Sequence, residues 1–205
     1  MSKQDEYYED TIVDILRHGE AEGGARLRGV TDDALTSGGE RQMMEALAGK
    51  KPWRQVITSP SQRCSKFAKK IANSAKVECI VEDAFQEIDL GEWEGRGLEA
   101  LIKEEPEAAS TFLTNPFSYQ PPGSESVDDF CERVLSGWAA VTEAYEENHI
   151  LLVTHGGPLR VILGEVLGVP RDALVRIETP HACLTRIRIP ADNWPASLVF
   201  HAGRL

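Results

Sequence analysis

Two short apolar runs, "TIVDIL" from Thr11 to Leu16 and "HILLVT" from His149 to Thr154, break off in the same way. The first runs into Arg17-His18-Gly19 and the second into His155-Gly156-Gly157. Apolar, β-branched runs of this length, punctuated by glycine, read as buried strands; they are too short for buried helices. A third run, "RQVIT", ends at Ser59-Pro60. Helical spacing fills the intervals: "SGGERQMMEALAGK" with Ser37 as its cap, and "SQRCSKFAKKIANSA" opened by Ser59-Pro60. "SESVDDFCERVLSGWAAVTEAYEEN" is the longest helical pattern, and "PLRVILGEVLGV" closes near Gly168 and Pro170. "VECIVEDAFQEI" reads as a strand and its exit loop, and "ALVRIET", "CLTRIRIP" and "SLVFHAG" as closing strands.

Strands alternating with helices predict an α/β fold, with a mostly parallel central sheet flanked by helices. A chain of 205 residues is long enough to bury a sizeable core as one domain, expected to span residues 1–205. Between Leu98 and Tyr119 a short helix, Pro106 and a second helix lead into "TNPFSYQPPGSES", which predicts a small loop-and-helix cap over about 98–123.

The net charge of −11 repels polyanions, so neither nucleic acid nor an anionic membrane is an expected partner. No apolar stretch is long enough to span a bilayer. The first ten residues are a polar lead-in without the apolar core of a secretory signal. Cys64, Cys79, Cys131 and Cys183 are scattered, which suits reduced thiols and a cytoplasmic setting. A homodimer through the closing segments "RIRIP" and "SLVFHA" is also an expectation.

In open α/β sheets, ligands bind beyond the carboxyl ends of the strands. His18 and His155 both fall there, Arg17 lies beside His18, and Arg63 falls in the first turn of the helix after "QVIT". Two arginines, two histidines and a helix N-terminus at one sheet edge suit a compact dianion, phosphate above all. Against an acidic background this basic cluster carries information. No HxH or HExxH spacing is present, and two arginines beside the histidines disfavour a divalent cation. A metallohydrolase using His18, His155, Glu20, Glu87 and Asp89 is the competing arrangement, and a non-catalytic phosphate-binding module is another.

"LRHGE", "TSPSQRC", "QEIDLGEWEGR", "PPGSES" and "VTHGGPLR" occur in the order found in the histidine phosphatase superfamily, and the chain resembles its phosphoglycerate-mutase-like branch over nearly its whole length. The resemblance implies a phosphomonoesterase with no cofactor and no metal, acting on a small-molecule phosphomonoester through a phosphohistidine. His18 would be the nucleophile, and Arg17, Arg63 and His155 would hold the phosphoryl oxygens. Glu87 would be the proton donor, and backbone N–H groups around Gly156 would add contacts. Mutases of the superfamily carry a longer insertion after the acid, so the compact stretch here implies hydrolysis rather than transfer. "DILRHGEAEGGARLRGVTDDALTSGG" and "PPGSESVDDFCERV" are similar to the α-ribazole-5′-phosphate phosphatases of cobalamin nucleotide-loop synthesis; a broad-specificity phosphomonoesterase is the alternative. Two positions depart from the wider pattern: Gly24 stands where many relatives have a phosphate-contacting asparagine, and Ser124 replaces a second glycine.

Arg28 would either reach the substrate or pair with Asp32 or Asp33. Glu20 reads as a carboxylate orienting an arginine, and Arg160 as structural. Glu125 reads as a pocket-mouth or helix-start carboxylate, and Trp93 as a packing residue under the Glu87 loop.

Overall fold

A computed structural model describes residues 10–191 and 194–205; the polar lead-in lies, except for Asp10, outside them. Six strands form one mixed sheet: β1 (Thr11–Arg17), β2 (Gln55–Thr58), β3 (Cys79–Val81), β4 (His149–Thr154), β5 (Leu184–Ile189) and β6 (Ser197–Gly203), in the order β3-β2-β4-β1-β5-β6. The pairs β3–β2, β2–β4 and β4–β1 are parallel, whereas β1–β5 and β5–β6 are antiparallel.

Side chains alternate between two cores, as the period of two in a strand requires. Val13, Ile15, Ile57, Ile150 and Leu152 face one side, with Phe130 and Val134 of α5 (Val127–Ala144) and Leu159 and Ile162 of α6 (Gly156–Leu167). Leu16, Val56, Leu151 and Val153 face the other, with Met43 of α1 (Ser37–Ala46) and Phe67 and Ile71 of α2 (Gln62–Ala75). The neighbouring strands β1 and β4 therefore send their following helices, α1 and α6, to opposite faces. That divergence opens a crevice at the carboxyl ends of β1 and β4. The fold positions His18 and His155 there.

A third apolar cluster, Leu90, Trp93, Leu101 and Ala109, lies under α3 (Leu98–Glu104) and α4 (Pro106–Thr114). The Trp93 ring stacks on Tyr119 with centroids 5.0 Å apart and meets Phe112 edge-on at 5.4 Å.

The structure corrects several local readings. The cap of α1 is Thr36, whose hydroxyl accepts from Gly39 N at 2.9 Å, and Ser37 is already helical. Helix α2 begins after Ser61, because the Ser59 hydroxyl is turned toward His155 instead of capping. Helix α6 starts at Gly156, two residues before Pro158. "ALVRIET" is not a strand: Arg171–Arg176 form a 3-10 turn closed by Ala173 N donating to Pro170 O at 2.9 Å. Leu174 packs from that turn over Gly164, and both edges of β1 are already taken by β4 and β5. Strand β5 is likewise paired on both sides, and β6 forms one edge of the sheet.

Candidate active site

The ladder holds the end of β1 from both sides. His18 N donates to Thr154 O at 2.9 Å, and His18 O accepts from Ala182 N at 3.1 Å. The ring Nδ1 stands 2.7 Å from Gly19 O. A carbonyl can only accept, so Nδ1 carries the proton and Nε2 keeps its lone pair. Burial, then the Arg63 and Arg17 charges, push the His18 pKa well below its ordinary 6.5. The imidazole is therefore neutral near pH 7, as a nucleophile must be.

His155, fully buried, occupies the N-cap of α6, its ring 5.2 Å from that of His18. Arg63 Nε donates to its Nδ1 at 3.2 Å, so Nε2 bears the proton and donates to Ser59 Oγ at 2.7 Å. The Arg63 guanidinium is fully buried too: Nη1 donates to Thr31 O at 2.6 Å and Nη2 to Gly29 O at 2.7 Å. Burial and the neighbouring cations keep His155 neutral as well. Together Arg63 and His155 form the floor behind His18, not the wall of the crevice.

Arg17 forms part of that wall and donates through Nη1 to Thr179 O, while its buried Nε has no protein partner. The buried Thr179 hydroxyl lacks one also. Both converge on the start of α6, where a Cβ built on Gly156 would stand 3.1 Å from Thr179 Oγ1 and 3.5 Å from Arg17 Nε and Arg160 Nη1. Unsatisfied buried donors are costly, and donors gathered at a helix N-terminus form an anion site.

Glu87 faces this cluster across the crevice. Gly157 N donates to its Oε2 at 3.1 Å, and Ile88 N to its Oε1 at 3.2 Å. Arg133 of α5 supports the segment from behind, donating to Ala84 O at 2.9 Å and Gln86 O at 3.1 Å while pairing with Glu125 at 2.7 Å. A cavity of about 260 Å³ opens above His18, Arg17 and Glu87. Its outer wall is mainly apolar, with Leu27, Ile88, Phe112, Phe117 and Tyr119, while Arg26, Arg28 and Glu125 supply charge.

Arg28 pairs with Asp33, its Nε donating to Oδ2 at 2.7 Å, and it also lines the cavity. Asp32 instead accepts from Gln62 N at 2.7 Å. Among the described residues Glu20 pairs with no arginine; its Oε2 accepts from Thr36 Oγ1 at 3.1 Å. Asp89 Oδ1 accepts from Gly91 N at 2.8 Å. Among the described residues, no group of three or more His, Cys, Asp or Glu is placed to hold a metal ion. Likewise, no helix there is long and apolar enough to cross a membrane. Gly24, with φ of 70°, does not line the cavity.

The sequence reading overlooked Ser59 as a partner of His155, and it overlooked Thr179. It also passed over His181, whose ring lies 5.9 Å from that of His18. Arg160, structural on the sequence reading, donates to Ile177 O at 2.9 Å and also lines the cavity. The one available signal was the Pro180-His181 pair between the last 3-10 turn and β5.

Comparison with known proteins gives the family. A family model described as "Histidine phosphatase superfamily (branch 1)" matches residues 13–201. The chain is 30% identical over 188 residues to the uncharacterized phosphatase PhoE of Bacillus subtilis, covering 90% of this chain and 91% of that one. It is 29% identical to a "Probable phosphoglycerate mutase GpmB" of Salmonella choleraesuis, with coverages of 90% and 88%. Among solved structures, the alpha-ribazole phosphatase of Shigella flexneri superposes with a TM-score of 0.81 at 22% identity, over 94% of this chain and 96% of that one.

Proposed function

The chain belongs to the histidine phosphatase superfamily (branch 1), and from that premise we propose that it is a metal-independent phosphomonoesterase working through a phosphohistidine on His18. One observation carries the reading: a buried, neutral His18 whose Nδ1–H is held by Gly19 O, which leaves the Nε2 lone pair free in a crevice shared with Arg17, whose buried Nε is unsatisfied.

In the first step, Nε2 of His18 attacks phosphorus and the bond to the leaving oxygen breaks. The Gly19 carbonyl steadies the positive charge that develops on the ring. Arg17, Thr179 and the Gly156 N–H at the start of α6 receive the equatorial oxygens. Arg63 supplies positive potential from beneath, and neutral His155, held between Arg63 and Ser59, supplies rigidity. Glu87 protonates the departing alkoxide, then takes a proton from the water that cleaves the P–N bond, which returns His18 to its starting state.

The substrate reading is α-ribazole 5′-phosphate, released as α-ribazole and phosphate. The mainly apolar outer wall, with Phe112, Phe117 and Tyr119, suits the flat aromatic base carried by the ribosyl leaving group and favours this ester over the phosphate of a bare sugar. The fold likeness to the Shigella flexneri enzyme is in keeping with it. The test is kcat/KM for α-ribazole 5′-phosphate against that for p-nitrophenyl phosphate, in the presence of a chelator. A ratio above about a hundred, or nearly 3 kcal/mol of discrimination, is expected. A ratio near one would replace the substrate reading with a broad-specificity phosphomonoesterase, and chelator-sensitive activity restored by zinc or manganese would remove the metal-free mechanism.

A further inference from the structure

Four backbone N–H groups and a hydroxyl converge on the half-buried carboxylate of Glu94, a residue with no part in the steps above. Its Oε1 accepts from Val30 N at 2.9 Å, Leu90 N at 3.0 Å and Gly29 N at 3.1 Å. Its Oε2 accepts from Thr31 N at 3.0 Å and from the Thr31 hydroxyl. Burial alone would raise the Glu94 pKa, but the Thr31 hydroxyl and these N–H groups together hold it below the usual carboxylate range. The group is a fixed anion at working pH.

The other side of the same segment faces the catalytic floor. Gly29 O and Thr31 O are the two carbonyls that hold the Arg63 guanidinium, and Arg63 in turn fixes His155. The 29–31 segment thus lies between an anion that takes its N–H groups and a cation that takes its carbonyls. Both contacts are charge-assisted and fix one orientation of the segment. Leu90 N ties the chain just after Glu87 to the same carboxylate. The two segments touch so closely that a Cβ on Gly29 would stand 1.9 Å from Ile88 O.

We propose that Glu94 is a positioning residue that locks the floor of the site, Arg63 and His155, to the acid half, Glu87. It touches no substrate and acts through residues 29–31 and Leu90. This inference rests on the phosphohistidine reading.

Glu94→Gln would turn an amide NH2 toward donors that now meet an oxygen, and so loosens both halves at once. A misplaced acid matters most for a poor leaving group, because an alkoxide needs its proton and a nitrophenoxide does not. For Glu94→Gln, kcat/KM should fall about a hundredfold on an alkyl phosphate and about tenfold on p-nitrophenyl phosphate. The titre of phosphoenzyme-forming sites should not change. Thr31→Val, which removes only the hydroxyl, should show the same pattern with a loss of about threefold on the alkyl ester. An equal loss on both esters would overturn the proposal, as would no loss in either variant. So would a Glu94→Gln deficit that follows the site titre while Thr31→Val equals the parent. Trapping acid-labile phosphoenzyme in the parent separates the two readings: its absence sinks both, and its presence with indifferent variants sinks only this one.

Discussion

Gly157 N donates to Glu87 Oε2 at 3.1 Å, and a Cβ on Gly157 would stand 2.1 Å from Glu87 Oε1. The absent side chain at the start of α6 is therefore the space in which the proposed acid sits. Helix α6 both points its N–H groups at the crevice and determines where Glu87 can rest.

Gly157→Ala should accordingly damage activity more than the fold. The added Cβ would also stand 3.0 Å from the buried Phe130 ring, which offsets alanine's better helix propensity, so the melting temperature should fall by only a few degrees. The Glu87 carboxylate has to move, and kcat/KM on an alkyl phosphate should fall about thirtyfold, with a smaller loss on p-nitrophenyl phosphate. Unchanged alkyl-ester kinetics would show that Glu87 is not the acid.

The pH dependence follows from His18. Burial first, then Arg63 and Arg17, depress its pKa well below 6.5. A depressed base stays unprotonated until the pH falls past its own pKa. After correction for ionisation of the ester, kcat/KM should stay level through pH 6.5 and fall only well below it. An acid limb centred at or above pH 6.5 in a pH–rate profile would contradict a dry, cation-flanked nucleophile.

The strands that deliver His18 and His155 were legible because a strand's signature is local: an apolar run, then glycine. Sequence placed Arg63 at the sheet edge, but not the direction of its guanidinium, which turns inward to Gly29 O and Thr31 O. Ser59 looked like a helix cap because Ser-Pro is a local signal, and the competing partner, His155, lies 96 residues away. Thr179, His181 and the donors around Glu94 left no periodic trace, because each acts through contacts that exist only once the sheet has formed. "ALVRIET" misled for the opposite reason. Its composition suits a strand, yet the sheet has no free edge beside β1 to receive one.

Asp14 is a charge in the middle of β1, fully buried, and it accepts from Trp53 Nε1 at 2.8 Å, His149 Nε2 at 2.9 Å and Arg186 Nε at 2.7 Å. Burial alone would raise its pKa, but the bonds from His149, Arg186 and Trp53 bring it below the ordinary 3.8. A carboxyl depressed on folding stabilises the fold above its unfolded pKa, and that contribution is lost as pH falls through the folded value. Asp14→Asn should cost about 3 kcal/mol in urea unfolding at pH 7, by leaving Arg186 short of its anion. The loss should shrink in acid. A variant as stable as the parent at pH 7 would show the network to be dispensable.

Phosphatase and mutase share every step up to the phosphohistidine; they differ in whether a phosphorylated product is held while the group is passed back. Holding phosphoglycerates requires free cations for a carboxylate and a second phosphate. Here the two arginines on the outer part of the cavity are both committed: Arg26 Nη2 lies 2.5 Å from Asp33 Oδ1, and Arg28 Nε lies 2.7 Å from Asp33 Oδ2. The rest of the outer wall is mainly apolar and aromatic, which offers a bisphosphate little to replace its water. Addition of 2,3-bisphosphoglycerate should therefore leave interconversion of 2- and 3-phosphoglycerate at background in a coupled assay, while p-nitrophenyl phosphate is hydrolysed. Phe117→Ala should weaken α-ribazole 5′-phosphate turnover by about tenfold in kcat/KM, through lost aromatic contact, and leave small alkyl phosphates nearly untouched. Robust mutase activity would mean that Asp33 yields its arginines to substrate, and an Asp33→Asn variant would then gain affinity for phosphoglycerate.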